Sequence, residues 1–558
     1  MSDKVKILPL GGQDEEGKNC YVIEVNDDIF VFECGIRDPD KTLPGVDYVI
    51  PRFDYLVENA SRIKGYFLTH GHDDVIGGLA YLYEQAPATI YGSKVSIALL
   101  KMFTRHIHKD PNIYKTQEVD PTSTIKVAGR KIHFFHTAHN IAESSGISIE
   151  TDLGDIVFTS DYVIENAAVP NYLNDMNALA KIAERPVLAL LSESVYAGRP
   201  GYTAPLYKLT PHISDIFKNA TGRIFVSLFN YDLYNVNEVI DLAKATKKKI
   251  IFYDESVLST LEVLQSCGEI TIPKENYASI DDVLRIPDQD MVILITGFAE
   301  RLFRKITLLA CGDNEDRRIR LKETDTFVMA CMKNDNTEIE YRDAADELYR
   351  SGCRVKIVDS KKFLRMHASE EDLKMMASLL KPKYYVAVKG LYKDLLANAT
   401  LALSMGINLN HRNVFVPSNG DTILIDETMG RVFPESAPHG DIMIDGTAVG
   451  DISQIVLDDR EKLGEGVIIF SLTISKAKRA IVSNPEVQMK GMLVGKEGEN
   501  LIRDVTKLLM TTTDEYLKQF HLDVQELQDI LYDKVSRLVR RVMGGHEPMI
   551  LPIILEAD

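Results

Sequence analysis

The string FLTHGHDDVIGG (residues 67–78) sets His70 and His72 on either side of one glycine, with Asp74 two residues further on. Two imidazoles at i and i+2 of a tight turn can converge on one cation, and imidazole and carboxylate are donors that zinc takes. Two further candidates also sit just past apolar runs: His139 in HTAHNIAES and Asp161 in VFTSDY. The chain has 13 histidines, and a lone one is more often structural than a ligand, so the HxHxD string alone would be weak. What strengthens it is repetition. His70, His72, His139 and Asp161 follow three strand-like runs, which would gather them on one rim of a sheet. His133, beside them, reads as a strand side chain, and His136 as a weak candidate for orienting a ligand.

The elements that must position these residues are legible as short apolar runs. Residues 5–10 and 20–25 read as strands around the turn GGQDEEGKN, followed by DIFVFECG (28–35), RIKGYFLTHGHDD (62–74), KIHFFHTAH (131–139) and GDIVFTSD (154–161). Dense early strands with helical spacing between them fit an α/β chain folded as an αββα sandwich. From about residue 206 the texture changes to βαβ units of a parallel sheet, in TGRIFVSLFN, KIIFYD, DQDMVILITG and DTFVMACM. Past residue 451, DISQIVLDDREKLGEG reads as a linker. A small α/β unit follows, with strands, two amphipathic helices (about 497–519 and 524–543) and the apolar PMILPIIL, expected as a buried strand.

Bulk properties bound the function. At 558 residues the chain needs two to four domains. A net charge of -18 repels polyanions, so nucleic acid would have to be held by a local basic patch. The six cysteines form no CxxC pair, which suits reduced thiols in the cytoplasm, and no apolar stretch approaches the ~20 residues of a membrane span.

Six strings in order, PLGGQDEEGKN, FLTHGHDDVIGG, HTAHNIAES, FTSDY, LLSESVYAGRPGYT and MHASEEDLKMM with KPKYYVAVKGLYK, resemble the motifs of the ribonuclease J family. The resemblance runs through essentially the whole chain and is greatest to the second, catalytically degenerate firmicute branch. It implies a metallo-β-lactamase core in two pieces (1–205 and 363–450), a β-CASP domain inserted at 206–362, a linker at 451–464, and a C-terminal oligomerisation domain at 465–558. It also implies two zinc ions and RNA as substrate, degraded from a 5′-monophosphate end or cut internally.

Residue by residue, the resemblance carries the first zinc onto His70, His72, His139 and Asp161. The second zinc fares worse. Asp74 and Asp161 remain, but the two histidines of that site are here Val75 and Lys389. Valine has no lone pair, and a protonated lysine brings a positive charge to the place of a cation. The second site is therefore expected empty, with Lys389 neutralising Asp74 and Asp161. A core aspartate is replaced by Glu33. The acid-base pair, Glu193 and His367, persists, while the substrate string is reduced to Leu364-Arg365-Met366-His367. In the 5′-phosphate loop a serine and an arginine have become Tyr231 and Asn235, and Asp232 adds repulsion.

These departures imply weak or absent cleavage and a partner subunit of an active ribonuclease J paralogue, in a homo- or hetero-dimer or tetramer built through the C-terminal domain. The competing readings are a single-metal ribonuclease with real activity and, less well supported, a general metallo-β-lactamase-type hydrolase. The lysines between Lys244 and Lys249 read as a solvated helix end or a phosphate contact, and Arg537, Arg540 and Arg541 as one face of the last helix. GKEGEN (495–500) lacks phosphate-loop spacing. Elemental analysis of the purified protein is expected to find no more than one tightly held zinc per chain; two would overturn the reading of Val75 and Lys389.

Overall fold

The computed structural model describes residues 2–557 except 41, 166–170, 255, 334–336, 447, 451–453 and 493–494. It divides into two compact units, one of Met1–Asp38 with Tyr48–Ile442 and one of Pro39–Asp47 with Met443–Asp558.

Among its described residues the first unit carries two large sheets face to face. One runs, in spatial order, Gly430–Phe433, Thr422–Ile425, Val5–Gly11, Cys20–Val25, Asp28–Phe32, Ile63–Phe67, Ile90–Gly92 and Thr116–Glu118. The other runs Val414–Phe415, Tyr384–Ala387, Val187–Ser192, Gly154–Phe158, Ser145–Thr151, Arg130–His136 and Thr124–Val127. Their inner faces share one core, in which Phe158 packs against Tyr21 and Phe32 at centroid distances of 5.2 and 5.8 Å. Helices Met176–Ile182, Glu370–Leu380 and Tyr392–Ser404 cover the outer face of the second sheet. This is the expected sandwich.

Parallel pairing sets the direction of the chain ends. Asp28–Phe32 runs parallel to Ile63–Phe67, and Gly154–Phe158, Val187–Ser192 and Tyr384–Ala387 are parallel to one another in turn. Covered on both faces, Val187–Ser192 is buried throughout, which is why it reads as a continuous apolar run. Just past these five strands come Glu33, His70, Asp161, Glu193 and Lys389. A third, wholly parallel sheet of the same unit is ordered Lys249–Phe252, Met291–Gly297, Ile224–Phe229, Thr326–Met329 and Arg354–Ile357.

In the second unit, strands Ala480–Lys490, Val467–Ser475 and Met549–Glu556 form a sheet. Its core joins Ile468 and Phe470 of the sheet to Val505 and Leu509 of helix Lys496–Tyr516 and to Leu527, Leu531 and Val535 of helix Val524–Val542. Two expectations need correction. The segment read as a linker contains the helix Gln454–Gly464, while residues 451–453 lie outside the described residues. The final apolar strand is not buried throughout. It lies at the sheet edge and alternates, so Ile550 faces the helices while Leu551, Ile553 and Leu555 are 38%, 44% and 55% exposed.

One glycine ties the fold to the metal loop. A Cβ at Gly35 would collide with the Asp74 carbonyl, and the backbone on either side is bonded to the same loop, Cys34 N–H to the Val75 carbonyl at 2.7 Å and Ile36 N–H to that of Asp73 at 3.0 Å. Gly35→Ala is expected to lower stability by about 2 kcal/mol or more and to displace the loop, read as an earlier urea transition with weakened zinc binding.

Candidate metal centre

Three imidazoles meet where the strands end. Ring centroids are 4.7 Å apart for His70 and His72, 4.9 Å for His70 and His139, and 5.1 Å for His72 and His139. One ring nitrogen from each lies within 4.8 Å of the others. The partners on the far side of two rings assign their tautomers. A carbonyl oxygen only accepts, so Nδ1 of His139 donates to the Met366 carbonyl at 2.7 Å and Nε2 of His72 donates to that of Tyr231 at 3.2 Å. In neutral rings this leaves lone pairs on Nε2 of His139 and Nδ1 of His72. Nε2 of His70 is buried with no hydrogen-bond partner.

Burial keeps these rings neutral. It pushes His70 and His139 well below the usual histidine range and His72 down to about 4. Asp161 stands beside them, with Oδ2 3.5 Å from Nε2 of His70. Three neutral imidazoles, an orphaned buried nitrogen and an adjacent carboxylate are a donor set that fits a tetrahedral cation.

The other side of Asp161 is taken by an ammonium. Lys389, 3% exposed, places Nζ 2.9 Å from Asp161 Oδ2, 3.1 Å from Glu33 Oε1 and 3.3 Å from Ser160 Oγ. Burial opposes its charge, but Asp161, Glu33 and Asp74 hold it well above the usual lysine range. Burial also pushes the Asp161 carboxyl up, yet Lys389, ahead of His367, His139 and His70, holds it well below. Of the two carboxylates Lys389 was expected to neutralise, it contacts Asp161, and it adds Glu33; Asp74 feels its charge without touching it, and Asp74 Oδ2 accepts from Asn19 Nδ2 at 2.8 Å. Burial raises Asp74 to about 7, and Val75 beside it is wholly buried.

Glu193 and His367 form a dyad on the opposite flank. His367 Nδ1 donates to Glu193 Oε2 at 2.8 Å, and Oε1 accepts the N–H groups of Tyr162 at 2.7 Å and Ala368 at 3.1 Å. Burial works against a charge on His367, but Glu193 raises it above the usual range. Of the four residues expected to touch substrate, Leu364 and Met366 are 2% and 1% exposed and pack in the core. What Met366 brings to the site is its carbonyl. Arg365 is partly buried, 28% exposed, against the Tyr196 ring and 3.7 Å from Glu16.

Other expectations shift. Tyr231, at the position where the resemblance puts a phosphate-binding serine, stacks on Phe229 at 5.2 Å. Asp232 caps helix Leu233–Ala245, accepting from Asn235 Nδ2 at 2.8 Å, and burial raises it to about 6. Three lysines of the run are bonded within the fold, Lys244 to Asp241, Lys248 to the Gln289 carbonyl and Lys249 to that of Glu275, while Lys247 is exposed. His133 is a strand side chain, as read, and meets Thr124 and Glu150 of the two neighbouring strands. Arg537 and Arg540 pair with Asp533 and Glu547. Sequence reasoning did not single out Thr69, Ser160 and Asn19, although the first two directly precede His70 and Asp161 in the motifs.

The sandwich with a cation-type site on its rim defines a metallo-β-lactamase-type protein, and the comparisons agree. Residues 14–252 match the metallo-beta-lactamase superfamily, 221–337 the ribonuclease J beta-CASP domain, and 455–557 the ribonuclease J C-terminal domain. The chain is 33% identical to Ribonuclease J2 of Bacillus subtilis over 556 residues, covering 100% of this chain and 99% of that one. It is 32% identical to Ribonuclease J 2 of Staphylococcus epidermidis over 555 residues, covering 99% and 98%. A crystal structure of a protein of unknown function from Enterococcus faecalis shares the fold, with a TM-score of 0.51 at 14% identity, over 76% of this chain and 100% of that one. The chain belongs to the ribonuclease J family of RNA-processing nucleases. No helix among the described residues is long and apolar enough to cross a membrane.

Removing one partner of a buried ion pair strands the other charge. Lys389→Met is therefore expected to destabilise the metal-free first unit by about 3–5 kcal/mol, measured as an earlier urea transition.

Proposed function

We propose that this protein is a ribonuclease J-type subunit of RNA maturation and decay that holds at most one zinc and cleaves RNA weakly or not at all by itself. The observation that carries this is the Lys389 ammonium 2.9 Å from Asp161, at the position where the family resemblance puts a ligand of the second zinc. A cation fixed by the fold leaves no lone pair there for a metal. His70, His72, His139 and Asp161 would hold the single ion.

A bound zinc would supply a Lewis acid and an activated water, while the clamp of a metal pair on both sides of the phosphate would be missing. The chain's own groups still offer part of the chemistry. Glu193, anchored by two backbone N–H groups, orients His367 and stabilises its protonated form, so Nε2 can give a proton to a leaving oxygen. Arg365 would meet the phosphate backbone. Losing one comparable electrostatic contact costs about 10²–10³ in rate. The intact dyad favours the second reading, a single-metal ribonuclease with real activity of its own.

As partner, a catalytic ribonuclease J paralogue in the cytoplasm suits a subunit with this inheritance. The exposed row Leu551, Ile553 and Leu555 offers an apolar strand face in the C-terminal unit for homo- or hetero-dimer or tetramer formation.

The deciding experiment is degradation of a 5′-monophosphorylated RNA by the pure protein, with and without the paralogue. Slow or undetectable cleavage alone, and altered cleavage with the paralogue, is the expected result. Rapid cleavage alone that disappears in His70→Ala would defeat the subunit reading. Restoring Val75→His with Lys389→His is expected to raise cleavage if the damage is confined to the metal site.

A further inference from the structure

One aromatic ring of the C-terminal unit stands outside its fold. Phe520 is 99% exposed, on the loop between helices Lys496–Tyr516 and Val524–Val542. An exposed apolar residue by itself means little. What marks this one is how the loop holds it out. Leu517 before it is buried and Leu522 after it packs on the unit's core, so the chain goes in on both sides of the ring. The Tyr516 hydroxyl donates to Glu526 at 2.6 Å and accepts the Asp523 N–H at 3.0 Å, which pins the end of the loop.

The surroundings of the ring are basic. The turn between strands Val467–Ser475 and Ala480–Lys490 lies against the loop, and the Arg479 guanidinium donates to the Gln519 carbonyl at 3.1 Å and to that of Phe520 at 3.5 Å. Within residues 476–479 and 517–523, four cations (Lys476, Lys478, Arg479 and Lys518) stand with one acid, Asp523, in a chain whose net charge is -18. That acid is engaged as the cap of the second helix, accepting the Gln525 N–H at 2.7 Å. Lys476 is spent on Glu556 at 3.1 Å. Lys478, Arg479 and Lys518 are exposed and make no ion pair among the described residues. Asp514 and Glu515 stand a turn further back on the first helix.

A single exposed ring among cations is an arrangement that grips single-stranded nucleic acid. Every base has a face that can stack on the ring, and the cations take the flanking phosphates. We propose that Phe520 is a stacking platform for single-stranded RNA, with Lys478, Arg479 and Lys518 as its phosphate contacts, a binding point carried by the C-terminal unit itself. A lipid surface fits less well, because one ring between Lys518, Gln519 and His521 offers no apolar face to insert. The inference rests on the proposed function only in taking RNA as the ligand of the chain.

The chain has no tryptophan, so Phe520→Trp puts a single fluorophore on the loop of the full-length protein. An unstructured oligouridylate is expected to quench its emission saturably, a signal that reads the loop whatever else in the chain holds RNA. Affinity is measured in parallel by anisotropy of the labelled oligouridylate. Phe520→Ala is expected to bind about 5–100-fold more weakly, with the slope of log affinity against log salt unchanged. Lys478→Ala with Lys518→Ala is expected to reduce that slope by about 1.4, two single-strand phosphate contacts at about 0.7 each. If the wild-type chain binds the RNA while Phe520→Ala binds it equally well, or the tryptophan is not quenched at saturation, the inference falls and the RNA reading stands. If the wild-type chain binds no RNA, both fall. Blue-shifted emission on phosphatidylserine vesicles without quenching by RNA would assign the ring to a lipid surface instead. A smaller assembly of Phe520→Ala in sedimentation, with RNA affinity unchanged, would assign it to a contact between copies.

Discussion

A buried ammonium between two buried carboxylates is the interaction on which the centre of this molecule depends. Lys389 is 3% exposed, with Asp161 at 2.9 Å and Glu33 at 3.1 Å. None of the three could be buried by itself without a cost of several kcal/mol. Together they form a compensated cluster that joins the ends of three strands from the two sheets. Around it lie the hydroxyls of Thr69 and Ser160, each 2.6 Å from Glu33, and His70, which faces Asp161.

The cluster also explains why the two halves of the rim have diverged. On one side, three imidazoles are kept neutral by burial, and two of them are turned by backbone carbonyls so that their lone pairs point inward. On the other, a fixed positive charge stands where the resemblance puts a ligand. The same Asp161 serves both, which links the metal side to the lysine side through a single carboxylate. The Glu193–His367 dyad adds a third charged element within reach, His367 Nδ1 being 3.8 Å from Asp161 Oδ1. Chemistry at this rim is therefore set by a sum of close charges, and changing one will be felt at the others.

Much was legible in the residues. His70, His72, His139 and Asp161 announced themselves because each follows an apolar run, and parallel strands deliver such residues to a common rim. The sandwich and the parallel sheet were legible for the same reason, as runs of strand residues at the right spacing. Less legible were partners made by backbone. Nothing in the string LRMHAS shows that the Met366 carbonyl, and not a side chain, would orient His139. Asp232 looked like a charge facing a phosphate and proved to be a helix cap, since capping depends on where the helix starts. PMILPIIL read as buried, but a strand in a sheet with helices on one face buries only alternate residues.

What the sequence determined by itself was the inventory: a valine and a lysine where the family resemblance puts two histidines, and four residues of metal-ligand type. Chemical identity is local, and no folding can give valine a lone pair. Only the tertiary structure decided where the lysine's charge goes. Its nearest carboxylates, Asp161 and Glu33, are 228 and 356 residues away along the chain, and of the two partners the motifs suggested, Asp161 and Asp74, the second is turned to Asn19 instead. Charges pair by distance and desolvation, which are properties of the folded rim and not of the order of residues.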